Sequence, residues 1–263
     1  QMALQSKPEP SKEKMRTLLK NLFKHARGYV EIAKHSSNEL INLFTEILET
    51  VRLESGKIEL TPEAFDLRAI VQRNMDLYQP AAKDKKINLS QSVDNRIPHY
   101  LYGFREALDR TLLNLISNAL KFTESGNVKV SVLLLDDSTK IDYQKGDTIM
   151  LQVQVEDTGI GIPEDKFDTI FEHFSRLTPS YQGTYKGSGL GLYTVKYYVE
   201  AMHGLITVES KLGKGSCFTV TVPFTVDDHA DHVYQSIQKL QTESAQVLQS
   251  SSTLTSSPVE SIN

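Results

Sequence analysis

Apolar residues recur at helical spacing near the start of the chain: Met15, Leu18, Leu19, Leu22, Phe23, Ala26, Val30 and Ala33, then Leu40, Ile41, Phe44, Ile47, Leu48 and Val51. Steps of three and four predict amphipathic helices. Gly28 either breaks them or sits inside one long helix, and periodicity alone allows both. The stretch Glu54-Ser55-Gly56-Lys57 closes the region, because glycine just past the last periodic residue is the preferred helix stop. From Thr61 the pattern changes. Helices are predicted near 66–78, 104–121, 164–172 and 189–202. Strands are predicted at 127–135, 149–156, 205–210 and 216–222, where β-branched and polar residues alternate, as in Thr219-Val220-Thr221-Val222. Gly213-Lys214-Gly215 reads as the hairpin turn between the last two strands. Helices mixed with mostly antiparallel strands predict an α+β layered fold. After Pro223 only a marginal helix (Val233, Ile237, Leu240) is indicated. Residues 241–263 then hold seven Ser and three Thr, too little apolar surface to order a core, and read as a linker or tail.

Composition narrows the classes. The 263 residues are 39 % hydrophobic and 24 % charged with a net charge of −4, ordinary for a soluble globular chain. A single cysteine, Cys217, excludes an internal disulfide and a cysteine-based zinc site. No stretch approaches the ~18 apolar residues of a membrane span, and no basic-then-apolar leader opens the chain. The expected setting is therefore the cytoplasm, either for the chain itself or for the cytoplasmic part of a larger, membrane-bound protein. Mild acidity argues against nucleic-acid partners. Charge is uneven, though: residues 1–36 carry eight Lys/Arg against three acids, most simply a solvated helix face. The apolar stripe on the same segment must be buried, often against a second copy of itself, which makes a homodimer the expectation.

Four short clusters could carry chemistry. Asn114, Asn118 and Lys121 are spaced by four and three, so they share one face of a predicted helix that ends at Phe122. Amide oxygens are hard ligands suited to Mg²⁺, and a lysine one turn on could meet phosphate; amides capping nearby backbone would leave the same pattern. Asp157-Thr158-Gly159-Ile160-Gly161 follows a strand. Its glycines permit close approach of a ligand and its carboxylate could accept a bond from an amino group, although a plain turn would also read this way. Phe171-Glu172-His173-Phe174-Ser175-Arg176 places two phenylalanines three apart, a spacing more often found in a core. Gly187-Ser188-Gly189-Leu190-Gly191 opens a helix after a polar loop at 177–186, where free N–H groups and the helix dipole suit phosphate. It lacks the Gly-Lys-Ser/Thr ending of a Walker A loop.

In this order the clusters resemble the N, G1, F and G2 boxes of the sensor histidine kinase ATP-binding domain. The resemblance runs from about Phe65 to Pro223 and includes a closing Gly215-Ser216-Cys217-Phe218 hairpin. Upstream, Glu39 to Lys57 is similar to the second helix of that family's dimerisation and phosphotransfer hairpin. The resemblance implies a Bergerat-type two-layer α/β sandwich that binds ATP with Mg²⁺. Asn118 would hold the metal with help from Asn114. Lys121 and Arg176 would neutralise phosphate charge, and Phe122 would flank the nucleotide. Asp157 would accept the adenine amino group in a pocket shaped by Gly159 and Gly161. Gly187, Gly189, Leu190 and Gly191 would carry the phosphates, with Lys186 within reach. The implied organisation is a disordered lead over 1–11, a helical dimerisation-like segment over 12–58, the ATP-binding domain over 61–226 and a tail over 227–263.

Two departures matter. ATPases of the same fold, such as gyrase, place a glutamate four positions before the metal-binding asparagine. Here that position is Asn114, an amide that cannot act as a base, so hydrolysis is expected to be slow. The family's phosphorylated histidine is followed by an acid, yet none of His25, His35, His99, His173, His203, His229 or His232 is. No phosphoacceptor is therefore expected here. Two readings stay open: a kinase catalytic region whose acceptor lies on a separate phosphotransfer hairpin, serving a response regulator or receiver domain, or a nucleotide-sensing dimerisation module without transfer.

Overall fold

A computed structural model describes residues 12–56, 59–135, 143–175 and 187–227. The lead over 1–11, Arg176, the polar loop at 177–186 with Lys186, and the C-terminal tail lie outside the described residues. The chain divides into two compact units between Arg52 and Leu53. The two apolar runs at the start form one helix, α1 (Lys12–Glu54), with Gly28 inside it and only open space around that glycine. An exposed interior glycine costs about 1 kcal/mol against alanine, which a helix this long can carry. Its stripe remains exposed: Leu22, Phe23, Val30, Ile41, Phe44, Leu48 and Val51 all face solvent. Gly56 ends the helix as expected, at φ +64° with its N–H donating to Leu53 O at 3.1 Å.

The second unit is an α+β sandwich. Its strands are β1 (Glu63–Asp66), β2 (Ile87–Val93), β3 (Tyr100–Gly103), β4 (Gly126–Leu134), β5 (Thr148–Asp157), β6 (Leu205–Lys211) and β7 (Gly215–Val226). Its helices are α2 (Leu67–Asp84), α3 (Arg105–Phe122) and α4 (Gly191–Ala201). The sheet runs β1-β3-β7-β5-β4-β2, with β6 also on β7; β2 on β4 is parallel and every other pair is antiparallel. Strict alternation turns Val128, Val130, Val132, Ile149, Leu151, Val153, Val155, Val220 and Val222 inward, where they meet Leu108, Leu112, Leu115 and Ile116 of α3 and Val195 and Val199 of α4. All of these are essentially inaccessible, so the sheet and one helical layer enclose a single core.

Three strands escape the hydrophobic pattern: β1 and β3 have four residues each, and β2 is a polar edge strand. The helix expected near 66–78 continues through Pro80 to Asp84. The helix expected at 164–172 is absent. Only a 3₁₀ turn at Glu164–Lys166 forms, followed by further turns closed mainly by i→i+3 bonds. The last strand runs past Pro223 to Val226. Proline is tolerated there because β7 pairs with β6 through residues 215–221 and with β3 only at 225–226, leaving residue 223 between the two neighbours on that edge.

Candidate functional site

α3 buries Ala107, Leu108, Thr111, Leu112, Leu115, Ile116, Ala119 and Leu120 against the sheet. Asn114, Asn118 and Lys121 fall on its flank, half-buried, as their spacing predicts. The Asn114 amide donates to Arg110 O at 3.0 Å, which turns its oxygen outward. The Lys121 ammonium stands 4.8 Å from the centre of the Phe122 ring, within cation–π range.

Asp157 owes its position to strand phase. Ile149, Leu151, Val153 and Val155 point to the helical layer, and the next inward position of β5 carries a carboxylate instead of a methyl-bearing side chain. The group is 7 % exposed, and burial raises its pKa above the usual carboxylate range. Backbone N–H groups of Gly159 and Ser216 pull the other way, the first donating to Oδ1 at 2.7 Å. The loop after it is clamped. Thr158 N–H donates to Asn127 O at 3.1 Å, Ile160 N–H to Phe122 O at 3.2 Å, and Ile162 N–H to the Ser210 hydroxyl at 2.8 Å. From the hairpin between β6 and β7, Gly213 N–H donates to Ile160 O at 2.7 Å. A β-carbon on Gly159 would run into Phe122 O, and one on Gly161, at φ +69°, into Lys211 O. Phe122 O therefore ties the carboxylate's loop to the end of the amide-bearing helix.

The glycine segment completes the arrangement. A β-carbon on Gly187 would collide with Lys121 Nζ, and one on Gly191 would lie 3.0 Å from Asn114 Oδ1 and 3.8 Å from Asn118 Nδ2. A β-carbon on Gly189, at φ +81°, would lie 2.7 Å from backbone atoms of Phe174 and Ser175. α4 starts at Gly191 without a side-chain cap, so its first-turn N–H groups keep the positive end of the helix open to a ligand. Leu190 is 1 % exposed and its N–H is taken by the Ser188 hydroxyl at 3.1 Å; it anchors the segment in the core. Phe171 packs edge-on against Phe218 at 6.5 Å, a core contact as its spacing indicates, whereas Phe174 is 64 % exposed.

Asn114, Asn118 and Lys121 thus meet Gly187 and Gly191 on one side, while the Phe122 carbonyl joins the end of α3 to the loop of Asp157, Gly159 and Gly161 on the other. Sequence reasoning overlooked Thr158 and Ser210, whose hydroxyls hold the Asp157 loop from β4 and β6. Their only signal was a small polar residue at a strand end, which is too common to read. No group of three or more His, Cys, Asp or Glu able to hold a metal occurs among the described residues.

A layered sheet with a carboxylate at a strand exit, amides on the facing helix and glycines at the next helix N-terminus defines the ATP-binding domain of the GHKL class. Residues 103–226 match the family of histidine kinase-, DNA gyrase B- and HSP90-like ATPases, and this segment is a domain of that family. Its relatives are hybrid sensor kinases. Over 205 residues it is 40 % identical to the hybrid signal transduction protein dokA of Dictyostelium discoideum, covering 76 % of this chain and 12 % of that protein. It is 36 % identical over 205 residues to hybrid signal transduction histidine kinase L of the same organism, covering 78 % of this chain and 12 % of the relative. A crystal structure of full-length ShkA in complex with AMPPNP matches with a TM-score of 0.63 at 29 % identity, covering 76 % of this chain and 39 % of that one. The chain therefore spans a small part of each of these proteins. Among the described residues, no helix is long and apolar enough to cross a membrane.

Proposed function

We propose that this chain is the catalytic region of a hybrid sensor histidine kinase, binding Mg–ATP and passing the γ-phosphate to a histidine other than its own seven. The observation that carries the reading is the fit of Gly187 and Gly191 against Lys121 and Asn114, a cradle that any β-carbon would fill. ShkA was solved with an ATP analogue, which supports the same ligand here.

The donor set suits the ligand. The amide oxygens of Asn118 and Asn114 would hold Mg²⁺, which supplies charge neutralisation on the terminal phosphates when bound. Lys121 adds cationic charge to the same region; Arg176 and Lys186, outside the described residues, are assigned the same role by the family resemblance alone. Gly187, Gly189, Leu190 and Gly191 bring backbone up to the polyphosphate at the α4 N-terminus. Asp157, in its carboxylate form, accepts the adenine amino group, with Gly159 and Gly161 leaving room for the base and Phe122 flanking it. Phosphoryl transfer asks chiefly for such positioning and charge neutralisation. Asn114 offers no base to activate water, so the γ-phosphate is kept for a protein acceptor. The exposed stripe of α1 supports a homodimer, with a phosphotransfer hairpin and a receiver domain as further partners in the cytoplasm.

Incubating the chain with γ-labelled Mg–ATP and a separate phosphotransfer hairpin bearing a His-Glu pair tests this. The expected result is acid-labile label on the hairpin and none on this chain. Mg–ATP binding with no transfer to any such hairpin overturns the kinase reading in favour of nucleotide sensing.

A further inference from the structure

The last four carbonyls of α3 are all accounted for, and two of them depend on one side chain. Ala119 O accepts the C-cap Thr123 N–H at 3.1 Å, and Phe122 O accepts Ile160 N–H at 3.2 Å. Leu120 O and Lys121 O are met by the ammonium of Lys85, at 2.7 and 3.4 Å, and the same ammonium lies 3.4 Å from Thr123 O. Lys85 is itself the C-cap residue of α2, with its backbone N–H on Ala81 O at 3.2 Å. Lys86 follows in the left-handed region at φ +58°, turning the chain into β2. The end of one helix therefore throws a cation across the end of another. The Thr123 hydroxyl, fully buried, has no hydrogen-bond partner among the described residues, so it adds nothing to holding this turn.

We infer that Lys85 is a positioning residue for the nucleotide site. This rests on the Mg–ATP reading above. The turn it grips supplies Lys121 to the phosphate side and Phe122 O to the loop of Asp157, so one ammonium fixes both halves of the cradle. It also offsets the negative end of the α3 dipole next to a site meant for a polyanion. Among the described residues Lys85 hydrogen-bonds to backbone carbonyls of this turn alone, which is why it positions rather than binds.

Lys85→Met keeps the aliphatic stem and removes the charge; Lys85→Arg keeps a cation able to bind the same carbonyls. Amide hydrogen exchange without nucleotide reads the clamp directly. In Lys85→Met, the Ile160 and Thr123 amides exchange about tenfold faster while Val153 in β5 is unchanged, and Lys85→Arg restores them. Mg–ATP binding weakens about three- to tenfold in Lys85→Met and recovers in Lys85→Arg. Unchanged exchange at Ile160 and Thr123, or unchanged affinity, overturns the inference. Failure of the unmodified chain to bind Mg–ATP overturns the nucleotide reading instead, and the exchange arm still decides the clamp.

Discussion

The two glycine-bearing segments of the site are built differently. Around Asp157, the glycines press on backbone: Gly159 on Phe122 O and Gly161 on Lys211 O, with hydrogen bonds from α3, β4 and the β6–β7 hairpin closing the loop on three sides. At the start of α4, Gly187 and Gly191 press on the ends of flexible side chains, Lys121 Nζ and Asn114 Oδ1, and only Gly189 meets backbone. Backbone cannot yield without moving whole elements; an ammonium or an amide can swing aside. The first construction suits recognition of a flat, invariant base, and the second suits charges that must adjust to a metal-bearing polyphosphate.

The sharpest way to break that contrast is to add one methyl to each side. Gly161→Ala forces a left-handed φ of +69° on a β-carbon residue and drives that carbon into the Lys211 carbonyl. Strain of this kind costs about 2–4 kcal/mol. Urea unfolding is expected to show that loss, with Mg–ATP binding lost alongside it. A change below about 0.5 kcal/mol, the size of an ordinary surface substitution, would mean that the loop is not the rigid template described.

Asp157→Asn probes the same side through chemistry. Losing a charge-assisted acceptor is expected to weaken ATP by about 1–3 kcal/mol, while affinity for inorganic triphosphate stays the same. pH provides an independent check. Burial holds the Asp157 carboxyl above its ordinary value of 3.8, so folding favours the protonated form. Its contribution to stability is full below 3.8 and lost as pH rises through the higher folded value. In the proposed pose adenine binding needs the carboxylate, so it is expected to run the opposite way and fall as pH drops through that raised value. Calorimetric titrations across pH in the unmodified chain and in Asp157→Asn should show these slopes only with Asp157 present.

How much of this could be read from the chain depends on range. The Asn114, Asn118 and Lys121 face follows from helical spacing alone, and Asp157 from a strand whose alternation runs without a break. The missed strands carry little pattern: β1 buries Phe65 alone among Glu63, Ala64 and Asp66, and its pairing with β3 is set by tertiary contact. In the helix expected at 164–172 and not formed, Phe167, Ile170 and Phe171 sit at helical spacing yet reach the core from a run of tight turns. Lys85 was invisible for a related reason. Its carbonyl partners lie 35 to 38 positions away, and no local pattern marks a lysine at a helix end as a clamp.

Gly191→Ala is the mildest probe and the most discriminating. The position opens α4 with no requirement for positive φ, so alanine's better helix propensity contributes up to about 1 kcal/mol of stability. Against this, the new carbon lies 3.0 Å from Asn114 Oδ1, close enough to displace the amide by a few tenths of an ångström. Rotation of the amide absorbs that, so the unfolding midpoint should move little or rise slightly. The displaced oxygen is the proposed partner of Mg²⁺, and Mg–ATP affinity should fall about threefold to tenfold, equivalent to about 0.7–1.4 kcal/mol. Magnesium-free ATP should be weakened less. If Gly191→Ala instead unfolds the domain as readily as Gly161→Ala, the phosphate side is as rigid as the adenine side, and the division of labour between them fails.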